Sequence, residues 1–550
     1  MELFSARRLD FVAVAFLSLI FLFISLFRLG LPGVYYDEAL FIPPSAKLFD
    51  SCSLNAGIFF KIGCVPIILQ PPYIGSLKAL LYAPIFGAFG VGVVSIRLPG
   101  ILILLASNLT FWWFWRRRLG QGLALLLFAL VSIDAASIFH ARVDWGPYVL
   151  QNACKLALLC FVIAWLETRT PRHFALACLI VFVGIFDKLN FLWLIPAVLL
   201  GVALVYRGSA VEAFKAHLKL NSAALLASIL IGTVWLFRLI IPIAIAGTNS
   251  SPFVLSEQFA RIAAVVAGTL NAGAYPVLFG TPWPGSSWLS TIAFASTFTG
   301  LALLPFLGHI SRGSENTRAT VRLVHYSALL AVINCVLFAC LVATKEAGGP
   351  HHAIIFSHLW QLQFVATVGF VVATVRGRGP ALRASAMTAC AALCAVPLAL
   401  TGASVRHHLN ALDPRHLFSP AFSPAIYDLA YVLDGLDASE IVSVDWGIHN
   451  VVFSLAPKGR RDRYSDLWPT FNDLGQGRFP PAEAAKVLRG KDRIAFIIRP
   501  AERAVFPNTI IGFEKIAKLS GDCATQPQIV RDATDRIQYL VYQVARSCLG

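Results

Sequence analysis

The chain has 550 residues, of which 57% are hydrophobic and only 13% are charged, and its mean hydropathy is +0.71. Soluble proteins carry about 25% charged residues, so this composition excludes a water-soluble chain, and its apolar content excludes intrinsic disorder. The net charge is +16, but no basic block or nucleic-acid motif accompanies it. We therefore expect no nucleic-acid partner and attribute the basic excess to the positive-inside rule.

The charges divide the chain into two parts. Residues 1–402 hold 27 basic and 13 acidic residues, mostly in short clusters between apolar runs, whereas residues 403–550 hold 18 and 16. The second part is charged like an ordinary soluble domain. We predict a membrane domain over residues 1–402, in contact with membrane lipids, followed by a small α/β soluble domain over residues 403–550.

Eleven segments are candidates to cross a hydrocarbon core of about 30 Å, which takes about 20 apolar residues. The fold class predicted is therefore a multi-pass α-helical membrane protein. With 11 spans, all basic clusters fall on one side, which the positive-inside rule makes cytoplasmic. The N terminus is then cytoplasmic and the C-terminal domain extracytoplasmic. The spans lie near residues 11–29, 97–115, 121–139, 147–167, 173–187, 189–206, 221–243, 288–310, 321–343, 354–375 and 384–402.

Two apolar segments do not fit as spans. Residues 71–95 are long enough to cross, but a crossing there would reverse the side of every later basic cluster. We interpret them as an amphipathic or re-entrant element of a first outer loop, residues 30–96. Residues 245–287 contain four prolines and are interpreted as a second outer loop of the same kind.

Two ions lie inside predicted spans. Asp134 precedes the turn at Asp144 by 10 residues, and Lys155 follows it by 11. On antiparallel neighbouring spans the two side chains would lie at the same depth. We predict an intramembrane pair with a structural role, although ionisable residues in spans are functional by default.

The first outer loop begins with two tyrosines and two acids, Tyr35, Tyr36, Asp37 and Glu38. Adjacent acids in a loop are commonly only solvated charge, and that interpretation stays open. In a membrane part where most charges are basic, however, a carboxylate pair at the bilayer surface is suited to general-base chemistry.

A series of motifs in residues 10–210 resembles a known family. Its order is similar to that of the polyprenyl-phosphate-sugar-dependent enzymes of the glycosyltransferase-C superfamily, in particular the protein O-mannosyltransferases and lipid A aminoarabinose transferases. Each motif is weak alone, and their order and common sidedness carry the resemblance. The motifs are Tyr36-Asp37-Glu38-Ala39, Gln70-Pro71-Pro72-Tyr73, Arg97-Leu98-Pro99, residues 140–144 and residues 184–188.

The resemblance implies an enzyme of a bacterial inner (plasma) membrane that moves a sugar from a polyprenyl-phosphate donor to an acceptor hydroxyl or amine on the extracytoplasmic face. It implies Asp37 as general base, with Glu38 as the second candidate and Asp144 as a ligand of an acceptor or sugar hydroxyl. Arg142 and Lys188 would hold the phosphate. Tyr36, Gln70 and Tyr73 complete the expected substrate-binding set.

The chain departs from the family at two places. Many members carry Lys or His where this chain has Gln70. Glutamine cannot neutralise the charge of a phosphate, so Lys188, Lys61 or Lys78 could hold the phosphate instead. Where members often show Arg-Tyr, this chain has His351 and His352. These histidines are candidates for binding sugar or phosphate, and a plain polar loop stays open.

No cofactor is expected with certainty. A divalent cation stays open, but His351 and His352 alone do not make a metal site, which needs three or more ligands. We interpret Arg28 and Arg97 as snorkelling interfacial residues.

The cysteines give two candidate disulfides if the outside is oxidising. These are Cys52 with Cys64 in the first outer loop and Cys523 with Cys548 in the tail. Spacing does not decide whether either forms. The seven other cysteines fall in spans.

The tail reads as alternating helices and strands. It contains no nucleotide-binding motif, which fits a lipid-linked donor. By resemblance it covers the active site, and acceptor binding, a lid and structural capping all stay open. The predicted elements are a helix at 423–433 ended by Gly435, strands at 440–444, 493–498 and 537–544, and a helix at 480–488.

Two other classes are weighed against a glycosyltransferase. A transporter or flippase for lipid-linked sugars would show internal repeats and polar groups near the midplane of unwound spans, and we find no repeat. An envelope-assembly scaffold would not need the acids at 37 and 38. The donor sugar, the acceptor (glycan, lipid or protein), the stereochemistry and the oligomeric state cannot be read from the sequence.

Overall fold

The computed structural model describes residues 2–47, 58–69, 73–235, 254–283, 287–307, 315–345, 347–375, 378–480, 493–519 and 525–545. The predicted Gln70, Cys52, Cys523 and Cys548 and most of the helix at 480–488 lie outside these ranges. Cys64 takes part in a disulfide.

The membrane part is a bundle of apolar helices, which satisfy their backbone hydrogen bonds internally as lipid requires. Its helices are α1 Glu2–Leu26, α2 Tyr36–Ala39, α3 Ile42–Lys47, α4 Leu77–Phe89, α5 Val93–Leu119, α6 Gln121–Ser132, α7 Ala135–Arg142, α8 Tyr148–Thr168, α9 Pro171–Asp187, α10 Leu194–Val205, α11 Arg207–Ala216, α12 Leu218–Trp235, α13 Leu255–Asn271, α14 Tyr275–Phe279, α15 Trp288–Ala302, α16 Glu315–Ala343, α17 Pro350–Ala353, α18 Leu359–Val375 and α19 Pro380–Ala411.

In the described residues, helix is found within each of the eleven predicted spans, but these helices do not all qualify as single crossings. In the described ranges, seven helices are long and apolar enough to span a membrane, or up to nine if two bent pairs each count as one. The pair α6–α7 bends by 48°, and the segment from Leu189 through α11 bends by 103°. The chain is thus a multi-pass α-helical membrane protein, and its last apolar helix, α19, runs past the expected domain boundary at residue 402.

The bundle exposes apolar side chains outward and packs small residues inward. Phe16 and Phe23 of α1 are 62% and 63% exposed, as expected of side chains that face lipid. Inside, a Cβ on Gly300 would lie 2.7 Å from the Ser327 carbonyl oxygen. Glycine therefore allows α15 and α16 to approach closely, which is a common device of membrane helices.

The predicted outer elements are short helices. Residues 71–95 contain α4, whose 13 residues are too few to cross. It follows an antiparallel hairpin of β1 Ile58–Ile62 and β2 Val65–Leu69, which the sequence did not predict. The second predicted outer element, residues 245–287, contains α13 and α14.

The predicted Asp134–Lys155 pair is indirect. Among the described residues these two form no ion pair with each other. Instead Ser357 lies between them, because its hydroxyl donates to Asp134 at 2.7 Å and its carbonyl accepts from the Lys155 ammonium at 2.7 Å. The two side chains are therefore close, as predicted, but a third segment that the sequence did not predict lies between them.

The C-terminal part contains a five-stranded mixed sheet with helices against it. Its elements are α20 Ala425–Asp434, β3 Glu440–Ser443, α21 His449–Leu455, β4 Tyr464–Asp466, α22 Trp468–Gly475, β5 Arg493–Ile498, α23 Pro507–Leu519, β6 Gln528–Arg531 and β7 Ile537–Ala545. The strand order is β4-β3-β5-β7-β6, and β4, β3 and β5 are parallel. The predicted helix ended by Gly435 and the three predicted strands are confirmed within one or two residues.

Candidate active site

The two predicted acids lie in α2, on a turn held against the C-terminal domain. After α1 ends, the Gly33 N–H donates to the Phe422 carbonyl at 2.8 Å. A Cβ at Gly33 would lie only 2.2 Å from the Ser423 carbonyl oxygen, so only glycine allows this approach. The turn therefore brings α2 under the C-terminal domain.

Glu38 anchors this turn from inside. The Arg97 guanidinium donates to both Glu38 carboxylate oxygens, at 2.6 and 2.9 Å, and both side chains are buried. Arg97 also donates to the carbonyls of Leu29, Pro32 and Gly33. The expectation that Arg97 snorkels to the interface is wrong, because its guanidinium points inward and organises the loop before α2.

Asp37 points the other way, into a polar cavity of about 690 Å³. Burial raises the pKa of Asp37 to about 6, against the opposing effects of the Lys188 ammonium and of a hydrogen bond from the Gly146 N–H. A carboxylate with this pKa accepts a proton readily near neutral pH. The two adjacent acids thus have different surroundings.

Lys188 follows α9 and faces the same cavity. Its ammonium donates to the Gly146 carbonyl at 2.5 Å, and its backbone pairs with Ile74. Burial lowers the pKa of Lys188 to about 8, although the Asp37 carboxylate and two further acids oppose this. Gly146 therefore forms hydrogen bonds with both the Asp37 carboxylate and the Lys188 ammonium.

The same lysine also borders a second cavity. This cavity has a volume of about 320 Å³, is mostly apolar, and is lined by Tyr73, Lys188, Trp193 and His352 among others. Tyr73 borders both cavities. Burial and the Asp37 carboxylate raise the pKa of Tyr73 to about 12, so its hydroxyl stays protonated.

Asp144 is paired rather than open. Its carboxylate lies 2.5 Å from the Lys78 ammonium and also accepts the Val149 N–H at 2.9 Å. The Lys78 ammonium lies over the Phe41 and Tyr82 rings, at 4.6 and 5.1 Å from their centroids. Neither ion of this buried pair is among the residues that line the 690 Å³ cavity.

Arg142 lies apart from the cavity. Its guanidinium donates to the Leu31 carbonyl at 2.8 Å, to the Ser25 carbonyl at 3.1 Å, and to the Arg28 carbonyl. All three acceptors belong to the end of α1 and the loop after it. These hydrogen bonds hold the loop, and the phosphate contact of Arg142 stays a prediction.

The two histidines face different cavities. His351 lines the 690 Å³ cavity and His352 the 320 Å³ cavity, with ring centroids 4.1 Å apart. The His351 ring also lies 5.6 Å from the Trp145 ring. Within the part of the chain that the structure describes, no group of three or more His, Cys, Asp or Glu side chains is arranged to hold a metal ion, so we assign no residue to a cation.

Sequence reasoning missed the other wall of the cavity, which comes from the C-terminal domain. The Trp446 ring lies 4.5 Å from the Tyr36 ring, and Arg499 holds this loop by donating to the Trp446 carbonyl and the Asp445 carboxylate at 2.7 Å each. Burial raises the pKa of Asp466 to about 7. A signal was available for Trp446, which follows the predicted strand at 440–444, because ligands of α/β sheets bind beyond the carboxyl ends of parallel strands.

Comparison with known proteins gives little sequence information. No family model matches the chain, and no curated protein matches it. Solved structures do match, and among them the crystal structure of ArnT from Cupriavidus metallidurans bound to undecaprenyl phosphate is 14% identical, covers 98% of each chain and has a TM-score of 0.46. At this identity and TM-score, the similarity assigns no role to any residue of this chain.

Proposed function

We propose that this protein is an integral membrane glycosyltransferase. It moves a sugar from a polyprenyl-phosphate donor to an acceptor hydroxyl or amine on the extracytoplasmic face. The observation that carries the proposal is that Asp37 and Lys188 line the same cavity. A base and a cation are the two groups that sugar transfer from a phosphate needs.

The chemistry follows from the two side chains. The acceptor oxygen or nitrogen forms a bond to the anomeric carbon, and the bond from that carbon to the phosphate oxygen breaks. The acceptor proton passes to the Asp37 carboxylate. The electron pair leaves with polyprenyl phosphate, whose charge the Lys188 ammonium stabilises.

The second cavity supports a lipid-linked donor. It shares Tyr73 and Lys188 with the lining of the polar cavity, and its lining surface is mostly apolar, with Trp193 and Leu192 among its residues. A lipid phosphate placed at Lys188 would have the polar cavity next to its sugar and the mostly apolar cavity next to its polyprenyl chain. This arrangement matches the two ends of the proposed donor.

Other predicted site residues take supporting roles in the proposal. Glu38 positions α2 through its ion pair with Arg97. Asp144 and Lys78 form a buried ion pair outside the cavity lining, with a structural role. Tyr36, Tyr73 and His351 remain proposed substrate contacts because they line the cavity, and His352 remains one for the lipid side.

The test compares cell-envelope glycans, lipids and glycoproteins by mass spectrometry. Cells would carry the wild type, Asp37→Asn or the matched control Asp437→Asn, which changes an exposed carboxylate of the C-terminal domain. We expect one sugar modification to disappear with Asp37→Asn and to persist with Asp437→Asn. A folded Asp37→Asn protein that keeps the modification would refute the proposal and favour transport or scaffolding.

A further inference from the structure

The C-terminal domain contributes one wall of the 690 Å³ cavity. Trp446 follows the carboxyl end of β3 and Asp466 is the last residue of β4, at the edge of the parallel strands where α/β sheets bind ligands. Its side chains are aromatic, amide, imidazole and carboxyl groups. The residues that carry the argument are Trp446, His449, Asn450, Tyr464, Asp466 and Trp468.

Asp466 contributes to this wall a buried hydrogen-bond acceptor that lacks a donor. The Trp468 backbone N–H interacts with the Asp466 carboxylate, but the Oδ1 atom is shielded from solvent and has no hydrogen-bond partner among the described residues. A buried carboxylate oxygen without a donor is costly, so such oxygens normally receive a hydrogen bond. The cavity is the open direction from which a ligand hydroxyl could supply it.

Tyr36 connects Asp466 to the proposed base. Burial and the nearby Asp466 carboxylate raise the pKa of Tyr36, with Asp37 adding to the effect, and the Asn450 side chain hydrogen-bonds the Tyr36 phenol. Tyr36, Asp37 and Asp466 line one cavity, so a ligand at Asp466 lies in the cavity that also contains Asp37. This is the position that an attacking acceptor needs.

The charge of the wall selects against anions. Among the described residues that line the cavity from the C-terminal domain there is neither Lys nor Arg. The ammonium among the lining residues belongs to Lys188, on the opposite, membrane side. A phosphate thus has a partner on the membrane side, whereas the C-terminal side offers a carboxylate that repels it.

The aromatic rings select for flat apolar faces that carry hydroxyl groups. Trp446 and Tyr36 pack together at 4.5 Å, and Trp468 is held in place by stacking on Phe506 at 4.9 Å. Binding sites combine such apolar surface with a few placed polar groups. Sugar rings present both features, since their C–H faces pack on aromatic rings and their hydroxyls donate to carboxylates.

We propose that the C-terminal wall binds a neutral saccharide unit of the acceptor, with an acceptor hydroxyl donating to Asp466 and the attacking hydroxyl directed at Asp37. This inference rests on the proposed glycosyltransferase function and names its acceptor class. It makes Asp466 and Trp446 specificity-determining residues, in contact with the acceptor rather than the donor phosphate.

The test measures binding of saccharide probes to the full chain in lipid nanodiscs. The probes are neutral disaccharides, amino sugars and sugar phosphates. We expect neutral disaccharides to bind the wild type and Asp466→Asn to weaken this binding roughly tenfold or more, as for a lost hydrogen bond to a charged group. The control Asp473→Asn, a surface carboxylate of α22 paired with Arg478, should bind as the wild type does.

A second pair of variants keeps the test decisive if Asp466→Asn folds poorly. Trp446→Leu should weaken binding, and Trp446→Phe should restore most of it. The inference is overturned if the wild type binds no neutral saccharide, if only amino sugars or only sugar phosphates bind, or if Asp466→Asn and Trp446→Leu both bind normally. Sugar transfer by Asp37→Asn is scored separately, so failure of the proposed function is distinguished from failure of this inference.

Discussion

The Arg97 guanidinium holds the Glu38 carboxylate by both oxygens, in a buried pair with distances of 2.6 and 2.9 Å. Because Glu38 is held by Arg97, Asp37 is the one of these two adjacent acids that lines the cavity. The two neighbours are therefore chemically different although the sequence presents them as equivalent.

Removing one partner of this pair should destabilise the protein. Glu38→Gln leaves the Arg97 charge buried without a counterion, which typically costs about 3–5 kcal/mol. Thermal unfolding in detergent should show a clear loss. The double variant Glu38→Gln/Arg97→Met should recover part of it, and a Glu38→Gln protein as stable as the wild type would contradict the structural role.

The pH dependence of transfer should be bell-shaped. Asp37 acts as base only when ionised, so activity should rise as pH passes its pKa of about 6. Lys188 stabilises phosphate only when protonated, so activity should fall as pH passes about 8. The rate of sugar transfer in nanodiscs would be measured between these limits and beyond them.

Lys188→Arg separates the two limbs of this profile. Arginine stays charged at every accessible pH, so the alkaline limb should move upward or vanish while the acid limb remains. An unchanged alkaline limb in an active Lys188→Arg protein would remove Lys188 from the phosphate role.

Gly75 should tolerate no side chain. A Cβ there would lie 1.6 Å from the Phe186 carbonyl oxygen, just before Lys188, so Gly75→Ala must displace this segment and lower transfer activity. Gly87 of α4 is the matched control, because nothing lies within 4 Å of its Cβ position. Gly87→Ala should keep activity and, as a Gly-to-Ala change inside a helix, add roughly 0.5–1 kcal/mol of stability.

Arg142→Gln should affect stability and not donor binding. The variant loses donors to three loop carbonyls, each of which costs about 1–3 kcal/mol when left unpaired. The KM for the lipid-linked donor, measured on the folded fraction, should stay near the wild-type value. A large rise in that KM without loss of stability would restore the phosphate role that the sequence suggested.

Much of the fold could be predicted because apolar length and charge clusters are local signals. In the described residues, helix is found within each predicted span, and the strand predicted at 493–498 has the same bounds as β5. The bends at α6–α7 and after α10 were missed, because a hydrophobic run gives no information about direction once it is long enough. The β1–β2 hairpin was missed because its alternation is weak.

The residues of the site could be predicted only where a sequence motif marked them. Asp37 and Lys188 are more than 100 residues apart in the sequence, and only the family resemblance placed them together. The sequence could not show that the Arg142 guanidinium donates to backbone carbonyls, because hydrogen-bond partners and burial depend on tertiary packing. Asp466 stood at the end of an unrecognised three-residue strand, so the strand-end rule had nothing to act on.

The backbone of Gly146 positions both Asp37 and Lys188. Its N–H donates to Asp37 and its carbonyl accepts from Lys188, and its φ of +66° and the adjacent His351 ring leave no room for a side chain. An ammonium has three donors, so two remain for an incoming phosphate. The Asp37 carboxylate and the Lys188 ammonium are thus both held by the backbone of one residue, through the two peptide groups that flank its Cα. Such preorganisation means that binding energy need not be used to assemble them, and it can act instead on the reacting bond.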